Sequence, residues 1–186
     1  SREGILKGMY LFKDAGKAKK GELRVQLLGS GTILREAIAA AELLDKDFGV
    51  SADLWSCPSF NELRRDGFDN ERWNRLHPES EQRVSYVEQC LKGRGGPAIA
   101  ATDYVRAFAD QIRAFVPMHY TVLGTDGFGR SDTRSNLRRF FEVDRYYIAH
   151  AAVAALAADG KLSAKDVARA IKMYNIDPEK ANPVGV

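Results

Sequence analysis

Cysteine is scarce in this chain: the 186 residues hold two, Cys57 and Cys90. They stand far apart in apolar stretches and lack the CxxC pairing of zinc or redox sites, so both are expected to be reduced core residues. Histidine is nearly as rare, and His77, His119 and His150 form no HxH, HxxxH or HExxH pattern, which argues against a metal centre. His77 before Pro78 reads as a loop or interface residue and His150 as a packed one. No GxSxG elbow accompanies the serines. No apolar run approaches the roughly 18 residues of a membrane span, and the N-terminus lacks the charged, apolar and small-residue order of a secretory signal. The expected setting is cytoplasmic, with no membrane contact. Charge of one sign is lacking too: 28 basic residues face 25 acidic ones, scattered along the chain, so nucleic acid is not an expected partner. No internal repeat or low-complexity segment occurs.

What remains is an ordinary globular composition, 45% hydrophobic and 28% charged, long enough for one domain with a buried sheet. The chain opens on Ser-Arg-Glu, already inside a helical turn from Glu3 to Gly8, and is expected to be a fragment of something larger. Met9 to Asp14 reads as a short edge strand before the exposed loop GKAKKG, and Leu23 to Leu28 as an apolar strand ending at Gly29-Ser30-Gly31-Thr32. There a helix begins, with Ile33, Leu34, Ala37, Ile38, Ala41, Leu44 and Phe48 on one stripe and Gly49 as its C-cap. Asp53 to Phe60 reads as a second buried strand. A long connection follows from Asn61 to Gly96, with a charged helix from Glu62 to Leu76 anchored by Leu63, Trp73 and Leu76, then an apolar segment from Val84 to Leu91.

Pro97 to Asp103 is a small-residue strand, and Val105 to Val116 a helix stopped by Pro117. Tyr120 to Thr125 is the last strand, and Asp132 or Thr133 caps the next helix. Tyr147, Ile148, Ala151, Ala152, Ala155 and Leu156 form a further helical stripe, and Ser163 with Asp166 resembles a capping box for the final helix. Alternating strands and helices predict a mostly parallel sheet covered on both faces, with binding beyond the carboxyl ends of its strands.

Three features could carry chemistry. Gly29-Ser30-Gly31 could cradle a phosphate at a helix N-terminus, but Leu34 stands where a dinucleotide fingerprint needs Gly or Ala, and a tight turn is the stronger reading. Asp103 and Asp126 each follow Thr at a strand end and could pair on one rim, or simply accept backbone N–H bonds. The loop GTDGFGRSD, from Gly124 to Asp132, combines flexible glycines, the apolar Phe128 and the planar fork of Arg130. It holds no nucleophile, so Asp126, Gly127, Phe128, Gly129, Arg130 and Asp132 are read as an interface loop, the alternative being a structural loop in which Arg130 pairs with Asp126 or Asp132. A free-standing anion- or nucleotide-binding module using Gly29 to Thr32 and Arg130 is the competing functional reading.

The stretches EGILKGMY (Glu3 to Tyr10), VQLLGSG (Val25 to Gly31), ERWNRLHP (Glu71 to Pro78), ATDY, GTDGFGRSD, FEVD (Phe141 to Asp144) and NIDPEKANP (Asn175 to Pro183) carry a resemblance that spans nearly the whole chain. Together they resemble the C-terminal, transketolase-like domain of the homodimeric bacterial pyruvate dehydrogenases. The resemblance implies an α/β domain of three layers, α/β/α, around a mixed, mostly parallel five-stranded sheet whose first strand is antiparallel. It implies upstream domains in the same chain, a homodimer partner and a dihydrolipoyl acetyltransferase partner. Thiamine diphosphate and magnesium would lie in those upstream domains. The family's magnesium-binding GDG with its paired asparagines is absent, Thr125-Asp126-Gly127 being only a look-alike. No catalytic, cofactor-binding or metal-binding residue is therefore expected in residues 1–186.

Overall fold

In the computed structural model, residues 2–17 and 19–186 are described, so position 18 of the GKAKKG loop lies outside them. The helical turn at the start is α1 (Arg2–Lys7), followed by β1 (Tyr10–Lys13), β2 (Leu23–Gly29) and α2 (Leu34–Phe48). Gly49 ends α2 in the left-handed conformation (φ 61°), with its N–H on the Asp45 carbonyl, as its position after the apolar stripe predicts. The chain continues through β3 (Val50–Ser56), α3 (Phe60–Leu76), α4 (Tyr86–Leu91), β4 (Ala98–Ala101) and α5 (Arg106–Asp110). Then come β5 (Tyr120–Leu123), α6 (Arg134–Phe140), α7 (Arg145–Ala158) and α8 (Ala164–Met173). The Ser163–Asp166 capping box at the start of α8 is present in both directions.

The five strands lie in the order β1-β3-β2-β4-β5, with β1 antiparallel to β3 and every other pair parallel. Side chains alternate across this sheet and feed two cores. Val25, Leu27, Leu54, Ile99 and Ala101 pack with α2, α7 and α8 on one face. Leu28, Trp55, Ala98 and Ala100 pack with residues of α3, α4 and α5 on the other, where Cys57 is also buried. Cys90 is half-buried, and both thiols are free. Helix α7 is buried on almost every side, Ala149 and Val153 included, because it is wedged among the sheet, α2 and α8.

Beyond shifts of one or two residues at strand ends, three expectations differ from the structure. The strand read from Asp53 to Phe60 begins earlier, at Val50, and ends at Ser56. Phe60 belongs to α3 because Ser59 caps that helix, its side chain accepting from the Glu62 N–H at 3.2 Å. Leu76, expected to anchor α3, is 55% exposed, and Leu63, Phe60 and Gly67 make the buried face instead. The helix expected from Val105 to Val116 breaks after Asp110 and resumes as a 3-10 turn at Arg113–Phe115. The Tyr120 hydroxyl donates to the Ala109 carbonyl at 2.8 Å, engaging the acceptor that a continuing helix would offer residue 113.

Candidate functional site

The carboxyl ends of β2, β4 and β5 converge on one rim. From β2 the chain turns through Ser30, whose N–H bonds the Ala101 carbonyl at 3.1 Å, and Gly29 packs so tightly that a Cβ there would lie 2.6 Å from the Leu34 Cα. This is a packing glycine, which accounts for the GSG turn without a phosphate. Thr32, just beyond, donates its hydroxyl to Asp103 at 2.6 Å.

Asp103 and Asp126 do share the rim, but each is committed elsewhere. Asp126 accepts from the Arg106 N–H at 3.0 Å and from its Nε at 2.9 Å, capping the start of α5 with charge. The Thr125 hydroxyl donates to the Asp103 carbonyl, tying the β5 loop to the β4 loop. No group of three metal-ligating side chains forms among the described residues.

The loop after β5 is built from fixed ends and a projecting tip. At its start, Gly124 fits against the Tyr104 carbonyl, where a Cβ would come within 2.7 Å. Gly127, at φ +127°, sits against the C-terminal segment, its missing Cβ 2.3 Å from the Pro183 carbonyl oxygen. At the end, Asp132 accepts from the Asn136 amide at 2.8 Å and the Thr133 N–H at 2.7 Å, and these bonds hold its carboxyl below the usual range. Thr133, not Asp132, is the N-cap of α6, accepting from the Asn136 N–H. Between these anchors Phe128 is 73% exposed.

Arg130 makes neither of the ion pairs of the alternative reading, with Asp126 or with Asp132; its guanidinium lies over the Phe140 ring at 4.0 Å. Asp126 is taken by Arg106, which the turn of chain before α5 brings closer. Loop, α6 and Thr32 enclose a cavity of about 470 Å³ with an apolar floor of Leu137, Phe141 and Val143 and a rim of Arg130, Arg134 and Arg138.

Sequence reading missed the group next to this cavity. Glu36, buried on α2, accepts from the Arg145 N–H at 2.9 Å and its Nε at 3.1 Å, and from Arg138 at 3.2 Å. Burial opposes its ionisation, yet these arginines hold its carboxyl below the usual range. The separation of α2 from α6 and α7 along the chain left only the i,i+4 spacing of Arg134 and Arg138 as a hint. His119 pairs with Asp159 at 3.0 Å and His77 stacks on Trp73 at 4.3 Å. His150 is half-buried, and desolvation lowers its pKa.

Residues 8–144 match the family described as transketolase-like TK C-terminal domain. The chain is 61% identical over 184 residues to the pyruvate dehydrogenase E1 component of Cupriavidus necator, covering 99% of this chain and 20% of that protein. Against that of Pseudomonas aeruginosa it is 60% identical over 185 residues, covering 99% and 21%. Against that of Escherichia coli K12 it is 52% identical over 184 residues, covering 98% and 20%. It thus spans about a fifth of the length of the curated relatives it matches. A solved transketolase from Pichia stipitis, in complex with sedoheptulose-7-phosphate, superposes with a TM-score of 0.59 at 20% identity over 88% of this chain and 20% of that one, a likeness of fold. No helix among the described residues is long and apolar enough to cross a membrane.

Proposed function

The chain belongs to the transketolase-like C-terminal domain family, and we propose that it is the C-terminal domain of an acetyl-transferring pyruvate dehydrogenase, acting in the cytoplasm. The whole enzyme would decarboxylate pyruvate oxidatively on thiamine diphosphate with magnesium and pass the acetyl group to the lipoyl arm of a dihydrolipoyl acetyltransferase. Identity of 61% across 99% of the chain carries this reading. The residues here do not fit the cofactor pair: the GDG look-alike at Asp126 lacks paired asparagines, one oxygen of Asp126 is held by Arg106 and one of Asp103 by Thr32, and no group of three metal-ligating side chains forms among the described residues. The domain's part is therefore assembly, supporting the dimer and the cofactor cleft formed by other domains of the longer chain.

The loop from Gly124 to Asp132 is the surface best suited to that part. Its ends are tied down, so presenting Phe128 costs little ordering entropy when a neighbour covers it. Burying one such ring contributes about 1.5–3 kcal/mol. Phe128→Ala and Arg130→Ala in the full-length enzyme are expected to weaken the dimer in sedimentation or lower turnover while leaving the thermal melt of the subunit unchanged. Wild-type assembly and turnover in both variants would refute the loop's role. Calorimetric titration of the 186-residue chain with thiamine diphosphate and magnesium is expected to show no binding, and micromolar affinity would refute the assignment of the cofactor to other domains.

A further inference from the structure

Next to the loop lies a second concavity, of about 410 Å³, between α2 and the segment running from α6 into α7. Four of the side chains that line it are arginines: Arg35, Arg134, Arg138 and Arg145. Two acidic residues, Glu36 and Glu42, stand among them, so the walls carry a surplus of two positive charges. Arg35 and Arg134 are exposed and, among the described residues, have no acidic partner.

Glu36 fixes the other two. Its Oε1 accepts from both Arg138 and Arg145 at 3.2 Å, and its Oε2 from the Arg145 N–H and Nε. With only 7% of the Glu36 side chain exposed, this carboxylate is an internal counter-ion that orients two guanidinium groups and is itself used up. Each of those groups keeps N–H donors that no group among the described residues takes: Nε and Nη2 of Arg138, and Nη1 of Arg145.

We propose that this cleft binds a phosphate-bearing small molecule. A phosphate monoester carries about −1.5 to −2 near neutral pH, which matches the surplus of the walls, whereas one carboxylate would leave a charge over. Guanidinium forks fit phosphate oxygens two at a time. The volume falls in the range of about 300–1,000 Å³ common for small-molecule sites. The site does not depend on the assembly role of the Gly124–Asp132 loop, and neither Phe128 nor Arg130 lines it.

Inorganic phosphate titrated calorimetrically into the full-length protein tests this, with wild type compared against the Arg35→Ala/Arg134→Ala double variant. Both side chains are exposed and make no ion pair among the described residues, so the variant is expected to keep the wild-type melt. Wild type is expected to show a saturable event that the double variant weakens by at least about tenfold. An isotherm without saturation in wild type, or identical in both proteins, overturns the proposal, as does an oligoglutamate peptide that binds here while phosphate fails to compete. Should the double variant not fold, Arg35→Lys/Arg134→Lys keeps the charge and loses the fork; weakened binding supports the site, and wild-type binding overturns it.

Discussion

Asp53 and Arg24 face each other inside the protein, 3.0 Å apart, with 0% of one side chain and 5% of the other exposed. The carboxylate also accepts from the Gln26 amide at 2.9 Å and from the Ala15 N–H at 2.9 Å. Arg24 reaches on to the Gly16 carbonyl at 2.6 Å, and Gln26 to the Gly95 carbonyl at 3.0 Å. Trp55 completes the set by donating to Gln26 at 2.9 Å. The network thereby staples two glycine-containing loops to the first half of β2 and the middle of β3, away from the rim where β2, β4 and β5 converge.

Breaking this network at Asp53 leaves the buried Arg24 with one acidic partner among the described residues, Glu22 at the longer distance of 3.6 Å. Asp53→Ala is expected to cost about 3–5 kcal/mol in urea unfolding, whereas the double apolar replacement Arg24→Met/Asp53→Leu recovers much of the loss. A single variant as stable as wild type would show that Glu22 or water compensates Arg24.

Gly127 and Gly129 separate backbone strain from loop exposure. At Gly127 a Cβ meets the Pro183 carbonyl at 2.3 Å with φ already at +127°, whereas at Gly129 nothing lies within 4 Å. Gly127→Ala should destabilise by about 1–3 kcal/mol and speed amide exchange both in the loop and near Pro183. Gly129→Ala should change neither, as followed by hydrogen–deuterium exchange.

Stability should fall in acid in two steps, the first set by a histidine and the second by depressed carboxylates, Glu36 the buried one among them. Burial depresses the His150 pKa below 6.5, so the unfolded chain takes up that proton first, and stability is lost as pH drops from about 6.5 through the folded value. Glu36 is also depressed, below 4.5, so its contribution is present above about pH 4.5 and disappears as pH falls through the folded value. His150→Gln should flatten the first step and leave the second, read as urea midpoint against pH.

Cys57 should resist alkylation in the native protein. Burial pushes its thiol well above the usual range, leaving almost no thiolate at neutral pH. Iodoacetamide followed by mass spectrometry is expected to modify Cys57 only after denaturant is added.

Sheet and helices were legible wherever one residue period governed a whole element. The stripe of α2, the small-residue strand β4 and the capping box of α8 are local patterns, and the structure keeps them. Periodicity failed at α5, where the competitor was a tertiary contact, the Tyr120 hydroxyl on the Ala109 carbonyl. It failed again at Leu76, because an apolar residue on the right helical phase stays exposed if no element covers the end of the helix.

The sequence by itself determined the fold class and the family, and it singled out the loop from Gly124 to Asp132, where Gly124 and Gly127 but not Gly129 require the absence of a side chain. Only the tertiary structure decided which charges meet. Asp126 goes to Arg106 rather than Arg130, Asp53 to Arg24, and Glu36 to Arg138 and Arg145, more than a hundred positions away. The physical reason is that hydrophobic periodicity repeats within an element and can be read along the chain. An ion pair is a relation between elements, set by the few ångströms over which a hydrogen-bonded charge acts, and it exists only once the sheet has brought its partners together.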